Sequence, residues 1–568
     1  MSQLSELAAQ VRAQLTAPGA PFEVIEASAG GRPIRMYRNA FGTLPQLIAS
    51  ARAHGDKPFI TWQGETWSFD RFFAEADAVA ARLSDWGVKP GERVAIAMRN
   101  RPEWAVVFVA AAMIGAVPAP LNSFGLGDEL HDALACVEPS VLACDSERLA
   151  RIGGNTRVVG CRILCVGDTD LAAGVDDFRV LIAQPAGPKP LPQVGPDDPG
   201  LILFTSGATS RAKGVLSSQR AVCQALFNID FIGAISAMTS PDAVAALMKS
   251  GLPPATLTAV PLFHVSGLHA QMLTALRNGR RLVFLNRWDP AQAIDVIRSE
   301  RITQFNGAPS MVMQLLAQPG FDDPKQTGTL AGLGLGGAGM PQRLIDEVMR
   351  RRPDSLSGIG FGLTETNGSG AAASGRLFAY KPRSSGMVSP VIDVRVVDTA
   401  GQALPPGEQG EIWLRGATLM EGYWRNPEAT AAAIDAEEGW FRTGDVGYLD
   451  DEGFLFIVNR IKDVINRCGE KIAAAEVEFC LLQLPEVLEA AVFAVPDEDT
   501  GEAVTAVVSV REGSRLDGQA LQAHVGAHLA GYKVPAVVHV VTEALPRNPA
   551  GKLLKAQLRS AFITESKG

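Results

Sequence analysis

The sequence predicts an α/β fold, with a large N-terminal part that contains parallel sheets, a small β-rich piece and a small α+β domain at the C-terminus. Three observations predict it. Helical and apolar β segments alternate between Trp67 and Asp145, short strands broken by Gly and Pro begin at Val394, and a compact strand and helix block follows Asn459. Alternating helices and strands form parallel sheets whose faces are covered by helices. A chain of 568 residues exceeds one ordinary core, which agrees with several subdomains.

The first α/β unit is seen in four consecutive segments. "FDRFFAEADAVAARLSDWG" and "PEWAVVFVAAAMIG" have helical periodicity, whereas "ERVAIAM" and "PSVLACD" have the short apolar pattern of buried strands. The same alternation recurs in "LRNGRRLVFLN", "AQAIDVIRSERITQFNG" and "LIDEVMRRRPDSLSGIGFG", which predicts a second α/β unit.

The remaining segments predict the smaller pieces. "VRVVDTAGQALPPGEQGEIWLRG" predicts short strands with Gly and Pro turns. "EAAVFAVPDEDTGEAVTAVVSV" predicts two strands about a turn, followed by the helix "GQALQAHVGAHLAG" and the strand "AVVHVV". We therefore divide the chain into residues 1–459 and 460–568. The short charged connection at Arg460 to Asp463 suits a hinge, although it equally suits a surface turn.

Composition and charge restrict the function. The chain is 47% hydrophobic and 20% charged, as is usual for a globular protein, and its net charge is −9. A negative charge of this size argues against a broad nucleic-acid or anionic-membrane surface, so we expect a small-molecule partner and no nucleic acid.

Cysteine usage and hydropathy predict the location. Seven cysteines occur without a CxxC pair, which signals neither a zinc site nor a disulfide framework and favours a reducing cytoplasm. The N-terminus lacks the apolar core of a signal peptide, and we expect no transmembrane segment because no stretch looks long enough to span a bilayer.

A loop rich in hydroxyls follows the apolar run Leu201 to Phe204. "FTSGATSRAKGV" places serines, threonines, glycines and Lys213 within twelve residues. The common nucleotide loop is excluded, because Ala212 precedes that lysine and Gly214 follows it. Hydroxyls, free backbone N–H groups and a lysine charge together suit a triphosphate, although such a segment is also typical of a surface turn.

Three further segments carry candidate chemistry. In "GFGLTET", Phe361 offers a face for a base and Glu365 a hard oxygen for magnesium, with a helix cap as the alternative. In "RTGDVG", the carboxylate of Asp445 lies in a predicted Gly-bounded turn and suits a ribose diol, although aspartate is often only a turn former. In "LPRNPAGKLLK", Lys552 follows Gly551, and an exposed lysine is the alternative.

These four segments, in this order, resemble the adenylate-forming superfamily, and within it the acyl-CoA synthetase (AMP-forming acid:CoA ligase) family. The resemblance runs from about Pro45 to Lys555 and includes "GVKPGERVAIAMRNRPEW", "PLFHVSG", "NGAPSM", "LGGAGMP" and "RCGEKIAAAEVE". It implies a large N-terminal domain and a mobile small C-terminal domain that swings at a hinge near Lys462. Its ligands would be ATP, Mg²⁺, coenzyme A and a carboxylic acid, and a homodimer is a possible assembly.

The resemblance also implies a role for each matching residue. The β- and γ-phosphates would be held by Thr205, Ser206, Gly207, Thr209 and Lys213, and the adenine enclosed by Gly337, Ala338 and Phe361. Asp445 and Arg460 would bind the ribose, Thr364 the α-phosphate and Glu365 the magnesium ion. Lys552 would bridge the carboxylate and the α-phosphate, His264 would gate the acyl pocket, and the block around Gly469 and Glu470 would meet the thiol.

The implied reaction is activation of an acid as acyl-AMP followed by transfer to CoA. The residues near His264, Gly307 and the Gly332 to Gly337 run are small, which favours an apolar fatty acid first and an aryl or ring-bearing acid next. Two alternatives stay open: transfer to an amine or carrier protein, and a non-catalytic nucleotide sensor. The sensor alternative is supported by Ala208, Ser210 and Ala212, where many relatives have Thr, Gly and Pro. The presence of Lys552 argues against that alternative.

Overall fold

The structure is a computed structural model, and it describes residues 2–153, 160–167, 171–205, 212–336, 342–467, 470–497, 500–548 and 551–565. In the N-terminal half of the chain the strands are β1 Val24–Ala29, β2 Arg32–Tyr37, β3 Pro58–Trp62, β4 Glu65–Ser68, β5 Arg93–Ala97, β6 Val117–Pro120, β7 Val141–Asp145, β8 Arg162–Val166, β9 Val175–Asp177, β10 Pro199–Phe204, β11 Gly214–Ser218, β12 Ala255–Thr258 and β13 Arg281–Phe284. The later strands are β14 Gln304–Gly307, β15 Gly332–Gly336, β16 Gly358–Phe361, β17 Ala371–Ser374, β18 Met387–Val388, β19 Ile392–Val397, β20 Gly410–Gly416, β21 Gly422–Tyr423, β22 Phe441–Leu449, β23 Leu455–Arg460, β24 Val464–Arg467, β25 Glu470–Ala473, β26 Val487–Asp497, β27 Gly501–Val510 and β28 Val537–Val541.

The helices alternate with these strands. In the described residues the α-helices are Gln3–Thr16, Leu44–Ala51, Phe69–Asp85, Pro102–Met113, Gly127–Val137, Ser146–Arg151, Phe178–Ile182, Gln219–Thr239, Pro241–Ser250, Val265–Gly267, Thr274–Asn278, Pro290–Ser299, Pro309–Leu316, Pro324–Thr327, Gln342–Arg351, Arg376–Tyr380, Pro427–Ala433, Ala474–Leu481, Gly518–His528 and Lys555–Glu565. A π-helical stretch covers Leu268–Leu273.

Two large sheets form the N-terminal part. One has five strands, in the order β6-β5-β7-β8-β9, and all of its pairs are parallel. The other has nine strands, in the order β18-β17-β16-β15-β14-β12-β13-β3-β4, and its central pairs are parallel while its edges are antiparallel. These sheets confirm the predicted α/β class.

Smaller sheets complete the molecule. The β-rich piece is the antiparallel sheet β19-β20-β22-β23. The C-terminal sheet has the order β25-β24-β27-β26, with β28 parallel to β27. Between them, β23 ends at Arg460, a 3₁₀ turn covers Ile461–Asp463, and β24 begins at Val464. A three-residue turn therefore joins the last strand of one sheet to the first strand of the next.

One helix differs from the sequence expectation. In the described part of the chain, Gln219–Thr239 is 21 residues long and apolar enough to pass a length-and-composition test for a membrane span, so the statement that no stretch is long enough is wrong. In the fold, 56% of the most apolar stretch of this helix is buried inside the protein. The helix packs against β10, β11 and the N-terminal helix Gln3–Thr16, which accounts for its apolar composition.

Candidate active site

The predicted phosphate loop is closed at its base by a strand pair. β10 and β11 are antiparallel, with Phe204 opposite Gly214, and the Thr205 backbone N–H donates to the Lys213 carbonyl at 3.0 Å. The two ends of the loop therefore lie side by side. Ser206, Gly207 and Thr209 lie outside the described residues.

Lys213 is linked to Glu365 through an aromatic residue that the sequence analysis missed. The Lys213 ammonium lies 4.9 Å from the ring centroid of Tyr423, which belongs to β21 beside β11. The Tyr423 hydroxyl donates to Glu365 Oε1 at 2.9 Å. The available signal was an aromatic residue directly after Gly422 in "MEGYW", but only the strand pairing shows where this ring lies.

Thr364 and Glu365 lie in a 3₁₀ turn, Thr364–Thr366, rather than at the start of an α-helix. The Met420 backbone N–H donates to the Glu365 carbonyl at 2.8 Å, which fixes the turn against the chain before β21. Burial raises the pKa of Glu365, although the Tyr423 hydroxyl bond opposes that rise. In the described residues no lysine or arginine forms an ion pair with this carboxylate. Its oxygens are therefore available to bind a cation.

Phe361 is the last residue of β16 and is half-buried. It lies opposite Ala371 of β17, and the approach is close enough that a Cβ at Gly370 would lie 3.0 Å from Phe361 Cδ1. Gly337 and Ala338, predicted to enclose the same base, lie outside the described residues.

Asp445 and Arg460 face each other on neighbouring strands. They are register partners in β22 and β23, and Arg460 Nε lies 2.8 Å from Asp445 Oδ1. The predicted tight turn is therefore wrong: Asp445 lies inside a nine-residue strand, where Gly444 with φ +68° distorts the backbone. Gly and Asp together resemble a turn, but Asp445 pairs with Arg460 of β23, while residues 443–445 bulge out of the register with β20.

The second oxygen of Asp445 has no protein partner. The side chain is 3% exposed, and Oδ2 is buried without a hydrogen bond in the described structure. Burial raises the pKa of Asp445, and the charges of Arg460 and Lys552 oppose the rise. A buried carboxylate oxygen of this kind is costly unless a donor reaches it, so the position suits a hydroxyl of a ligand.

The C-terminal domain carries Lys552 to the same site. Gly551 has φ +80°, and a Cβ there would lie 2.6 Å from Ala308 Cβ, so the loop contacts the N-terminal domain closely where only glycine fits. The Lys552 backbone N–H donates to Asn548 Oδ1 at 2.9 Å. Burial lowers the pKa of Lys552 to about 8, helped by the charges of Arg460 and Lys462.

The predicted hinge residue Lys462 lies near this loop, because its charge acts on Lys552. Lys462 is in the 3₁₀ turn Ile461–Asp463, and burial, followed by the charge of Arg460, lowers its pKa. Glu470 is exposed at the start of β25, and Gly469 lies outside the described residues.

His264 is the N-cap of Val265–Gly267, and its ring lies 4.3 Å from that of Phe263. Burial lowers the pKa of His264 to about 4, so the imidazole is neutral at neutral pH. Its Nε2 is buried without a hydrogen-bond partner in the described structure. The histidine can therefore act as a neutral polar group and not as a cation.

The glycines expected to leave room for an acid differ among themselves. A Cβ at Gly334 would lie 2.1 Å from Asn306 Oδ1, and one at Gly307 would lie 2.8 Å from the Phe305 ring, so the protein's own side chains use that space. At Gly336 the nearest atom, the Gly360 carbonyl oxygen, is 3.5 Å away. A Cβ at Gly336 would therefore make an ordinary van der Waals contact with that oxygen, without the clash found at the other two glycines.

Two family models match the chain. The model of the AMP-binding enzymes matches residues 47–424, and the model of the AMP-binding enzyme C-terminal domain matches residues 476–552. The first match covers the phosphate loop, the Thr364–Thr366 turn and Tyr423, and the second ends at Lys552. Together they include most of the residues that the geometry brings together.

Named relatives agree with these matches. Feruloyl-CoA synthase from Amycolatopsis sp is 35% identical over 86% of this chain and 94% of its own length. Long-chain-fatty-acid–CoA ligase FadD13 from Mycobacterium tuberculosis is 32% identical over 86% of this chain and 93% of its own length. The crystal structure of ATP-bound MatB from Rhodopseudomonas palustris aligns with a TM-score of 0.79 and 28% identity, over 91% of this chain and 99% of its own. The chain belongs to the AMP-binding enzyme family and is an AMP-forming acid–CoA ligase with that family's C-terminal domain.

Proposed function

We propose that this enzyme activates an elongated apolar carboxylic acid, a fatty acid first and an aryl or ring-bearing acid second, as an acyl-adenylate and transfers the acyl group to coenzyme A. One observation carries the proposal. A partly buried lysine, Lys552, lies close to the Asp445–Arg460 pair of β22 and β23, and in the described residues no carboxylate forms an ion pair with it.

Lys552 suits the first half-reaction. When a carboxylate attacks the α-phosphorus of ATP, pyrophosphate leaves and negative charge gathers between two anions that repel each other. A protonated lysine between them lowers the energy of that arrangement, most strongly where water is excluded. The loop that carries Lys552 is held against Ala308, so the ammonium is placed before the reaction begins.

The groups on the strands suit the nucleotide. The unpartnered Oδ2 of Asp445 can accept from a ribose hydroxyl, while Arg460 holds Oδ1 and thereby keeps the carboxylate in place. Thr205 and Lys213, whose backbones pair at the two ends of the loop, would meet phosphate oxygens. Phe361 offers a ring for the adenine.

Glu365 fits a magnesium ion, since its partly buried carboxylate has the Tyr423 hydroxyl as a donor and no cation paired with it in the described structure. A bound magnesium ion would neutralise phosphate charge. Tyr423 holds one oxygen of the carboxylate and leaves the other free to bind, while the Met420 contact fixes the turn.

The second half-reaction requires Lys552 to leave. A thiol attacks the acyl-adenylate and AMP departs, so a channel must open where the lysine stood. The short turn Ile461–Asp463 between two rigid sheets is the place at which the C-terminal domain would rotate. Glu470, exposed at the start of β25, would then meet the pantetheine arm.

The relatives support an apolar acid of either kind, because one is named for an aryl acid and another for long-chain fatty acids. The preference for an elongated acid rests on the small residues near His264, and a Cβ at Gly336 would meet only an ordinary contact with the Gly360 carbonyl oxygen.

The testing experiment is acid-dependent pyrophosphate release from ATP and magnesium, across fatty, aryl and ring-bearing acids, with and without CoA. We expect release that depends on one acid class and turns over many times only when CoA is present. A single turnover that CoA cannot prolong would indicate an amine or carrier acceptor. No release with any acid would favour the nucleotide sensor instead.

A further inference from the structure

A cysteine and two histidines meet between two helices of the C-terminal domain. Cys480 lies in the last turn of the helix Ala474–Leu481, and His524 and His528 lie on the helix Gly518–His528. The Cys480 Sγ and one ring nitrogen of each histidine lie within 4.8 Å of one another. Within the described ranges, this is the one place where three histidine, cysteine or carboxylate side chains lie close enough to share an ion.

Core packing holds the two helices together at this point. They contact each other over a shared apolar cluster that contains Val477, Leu481, Leu521 and Val525. Cys480 belongs to the same cluster and is 3% exposed, whereas His524 is half-buried and His528 is exposed. The group is therefore anchored in the core at its cysteine and reached from solvent at its second histidine.

The two histidines form a pair on one face of their helix. They are four residues apart, so their side chains lie one above the other, and their ring centroids are 4.4 Å apart. Two histidines at this spacing can bind one metal ion from the same side of a helix. The cysteine on the facing helix supplies a third ligand from another direction.

Backbone carbonyls orient both imidazole rings. Nε2 of His524 lies 3.0 Å from the Cys480 carbonyl oxygen, and Nδ1 of His528 lies 2.8 Å from the His524 carbonyl oxygen. Because a carbonyl only accepts, each of these nitrogens donates, and each neutral ring keeps a lone pair on its other nitrogen. Histidines that bind metals are commonly held in this way.

The set of donors suits zinc. One thiolate and two imidazoles are among the usual ligands of Zn²⁺, which prefers four ligands in a tetrahedron. Its bond lengths place neighbouring ligand atoms about 3.3 to 3.7 Å apart, so the three atoms need to approach by no more than about 1.5 Å. His528 is exposed at the last residue of its helix and can make that adjustment.

The fourth position suits water. Glu476 lies one turn before Cys480, but both of its carboxylate oxygens accept from Lys533 at 2.7 Å. Burial raises the pKa of Cys480, and the charge of Glu476 raises it further. The thiol must therefore lose its proton to solvent when a metal binds, and the nearby carboxylate favours the incoming cation.

We propose that Cys480, His524 and His528 bind one Zn²⁺ ion, which joins the two helices of the C-terminal domain. The role is structural, because none of the three ligands belongs to the nucleotide site. The inference goes beyond the proposed function and does not rest on it. The cysteine and the first histidine are 44 residues apart in the chain, so cysteine spacing carries no sign of this site.

The experiment measures metal binding by the full-length protein after treatment with a chelator and removal of that chelator. Co²⁺ should produce a thiolate-to-cobalt charge-transfer band and the strong visible bands of a four-coordinate ion, at one ion per chain, and Zn²⁺ should abolish both. Zn²⁺ affinity follows from competition with a chromophoric chelator.

Two variants test the ligands. His528→Gln should weaken Zn²⁺ binding by about 100-fold or more, because a lost ligand should cost at least as much as a lost residue that only orients one. Cys480→Ser should abolish the charge-transfer band. Since Cys480 is buried and its replacement can impair folding, the exposed His528 carries the decisive comparison.

Matched controls come from elsewhere in the chain. His131 lies on the helix Gly127–Val137 with its Nε2 3.1 Å from the Ile152 carbonyl oxygen, and Cys161 is a half-buried free thiol. His131→Gln and Cys161→Ser should keep the band and the affinity. Zn²⁺ should raise the melting temperature of the wild type and of both controls, and should not raise that of His528→Gln.

Three results would overturn the inference. The wild type with excess Co²⁺ could lack the charge-transfer band, Zn²⁺ could bind His528→Gln as tightly as the wild type, or the band could persist in Cys480→Ser. The last two would place the metal on other side chains. The experiment needs no acid, nucleotide or CoA, so its failure leaves the proposed function standing.

Discussion

Two regions supply the charged groups of the site, and they are built differently. Asp445 and Arg460 lie on the paired strands β22 and β23 and Glu365 lies in the turn Thr364–Thr366, where strand pairing and hydrogen bonds fix each one. Lys552 stands on a loop of the C-terminal domain, held by the close approach of Gly551 to Ala308 and by Asn548. Asp445 and Arg460, proposed to bind the ribose, lie on paired strands and Glu365 lies in a turn, whereas Lys552, proposed to leave between the half-reactions, lies on a loop.

Burial acts on the two regions with opposite sign. It raises the pKa of Glu365 and of Asp445, and it lowers the pKa of Lys552 to about 8. Each shift moves the group towards its neutral form, because burial disfavours charge of either sign. A nucleotide and its cation would bring the missing counter-charges, so ligand binding and the charging of the site are coupled.

Replacing Lys552 should have the largest effect, and it should impair the first half-reaction but not the second. Lys552→Ala should slow acid-dependent pyrophosphate release by about 100- to 1000-fold, the usual loss for one preorganised electrostatic group. Thioester formation from supplied acyl-adenylate should stay close to wild type, as followed by chromatography of acyl-CoA. Lys249→Ala, on an exposed helix, is the control. Equal loss of both reactions would contradict the division.

Stiffening the connection should affect the other half-reaction. Lys462→Pro restricts the backbone of the turn between β23 and β24, so transfer to CoA should slow by about tenfold or more while pyrophosphate release in the first turnover stays near normal. Lys462→Ala removes the same charge and leaves the backbone free, and should retain both steps. If both steps survive proline, rotation occurs elsewhere.

The pH profile of pyrophosphate release should report the protonation state of Lys552. Because its pKa is lowered to about 8, Lys552 is charged below that pH and neutral above it. The kcat/KM of pyrophosphate release should therefore fall about tenfold per pH unit above pH 8. Lys552→Arg keeps its charge and should flatten this limb at a lower absolute rate. A wild-type profile that stays flat through pH 9 would show that Lys552 need not be protonated.

The smallest effect is expected for replacement of Tyr423, which lies on β21. Tyr423→Phe removes the donor to Glu365, which raises the pKa of that carboxyl further and weakens its hold on a cation. We expect the magnesium concentration for half-maximal rate to rise by about three- to tenfold, the range of one ordinary net hydrogen bond. Tyr448→Phe, on β22 with its ring stacked on Phe456, is the control. An unchanged magnesium requirement would remove Tyr423 from the site.

Much of the architecture was readable in the sequence. Periodicity placed the helix Phe69–Asp85 and the strands β5, β7 and β28 close to their observed bounds. The Gly-Asp pattern at Asp445 predicts a turn, but pairing with Arg460 of β23 places this residue in a strand that bulges on its β20 side. The expectation that no stretch is long enough to span a bilayer failed for the helix Gln219–Thr239. The apolar character of this helix follows from the elements that pack around it.

The sequence by itself determined the kinds of group available: a lysine after a glycine near the C-terminus, carboxylates at Glu365 and Asp445, and a loop of hydroxyls closed by Lys213. Only the tertiary structure decided which of them meet. Tyr423 joins Lys213 to Glu365 through strand pairing, and Arg12 and Ser236 line one cavity although 223 residues lie between them in the chain. Sequence patterns record local backbone preference and burial, whereas contacts between distant segments, and the pKa shifts that burial causes, exist only once the sheets have packed.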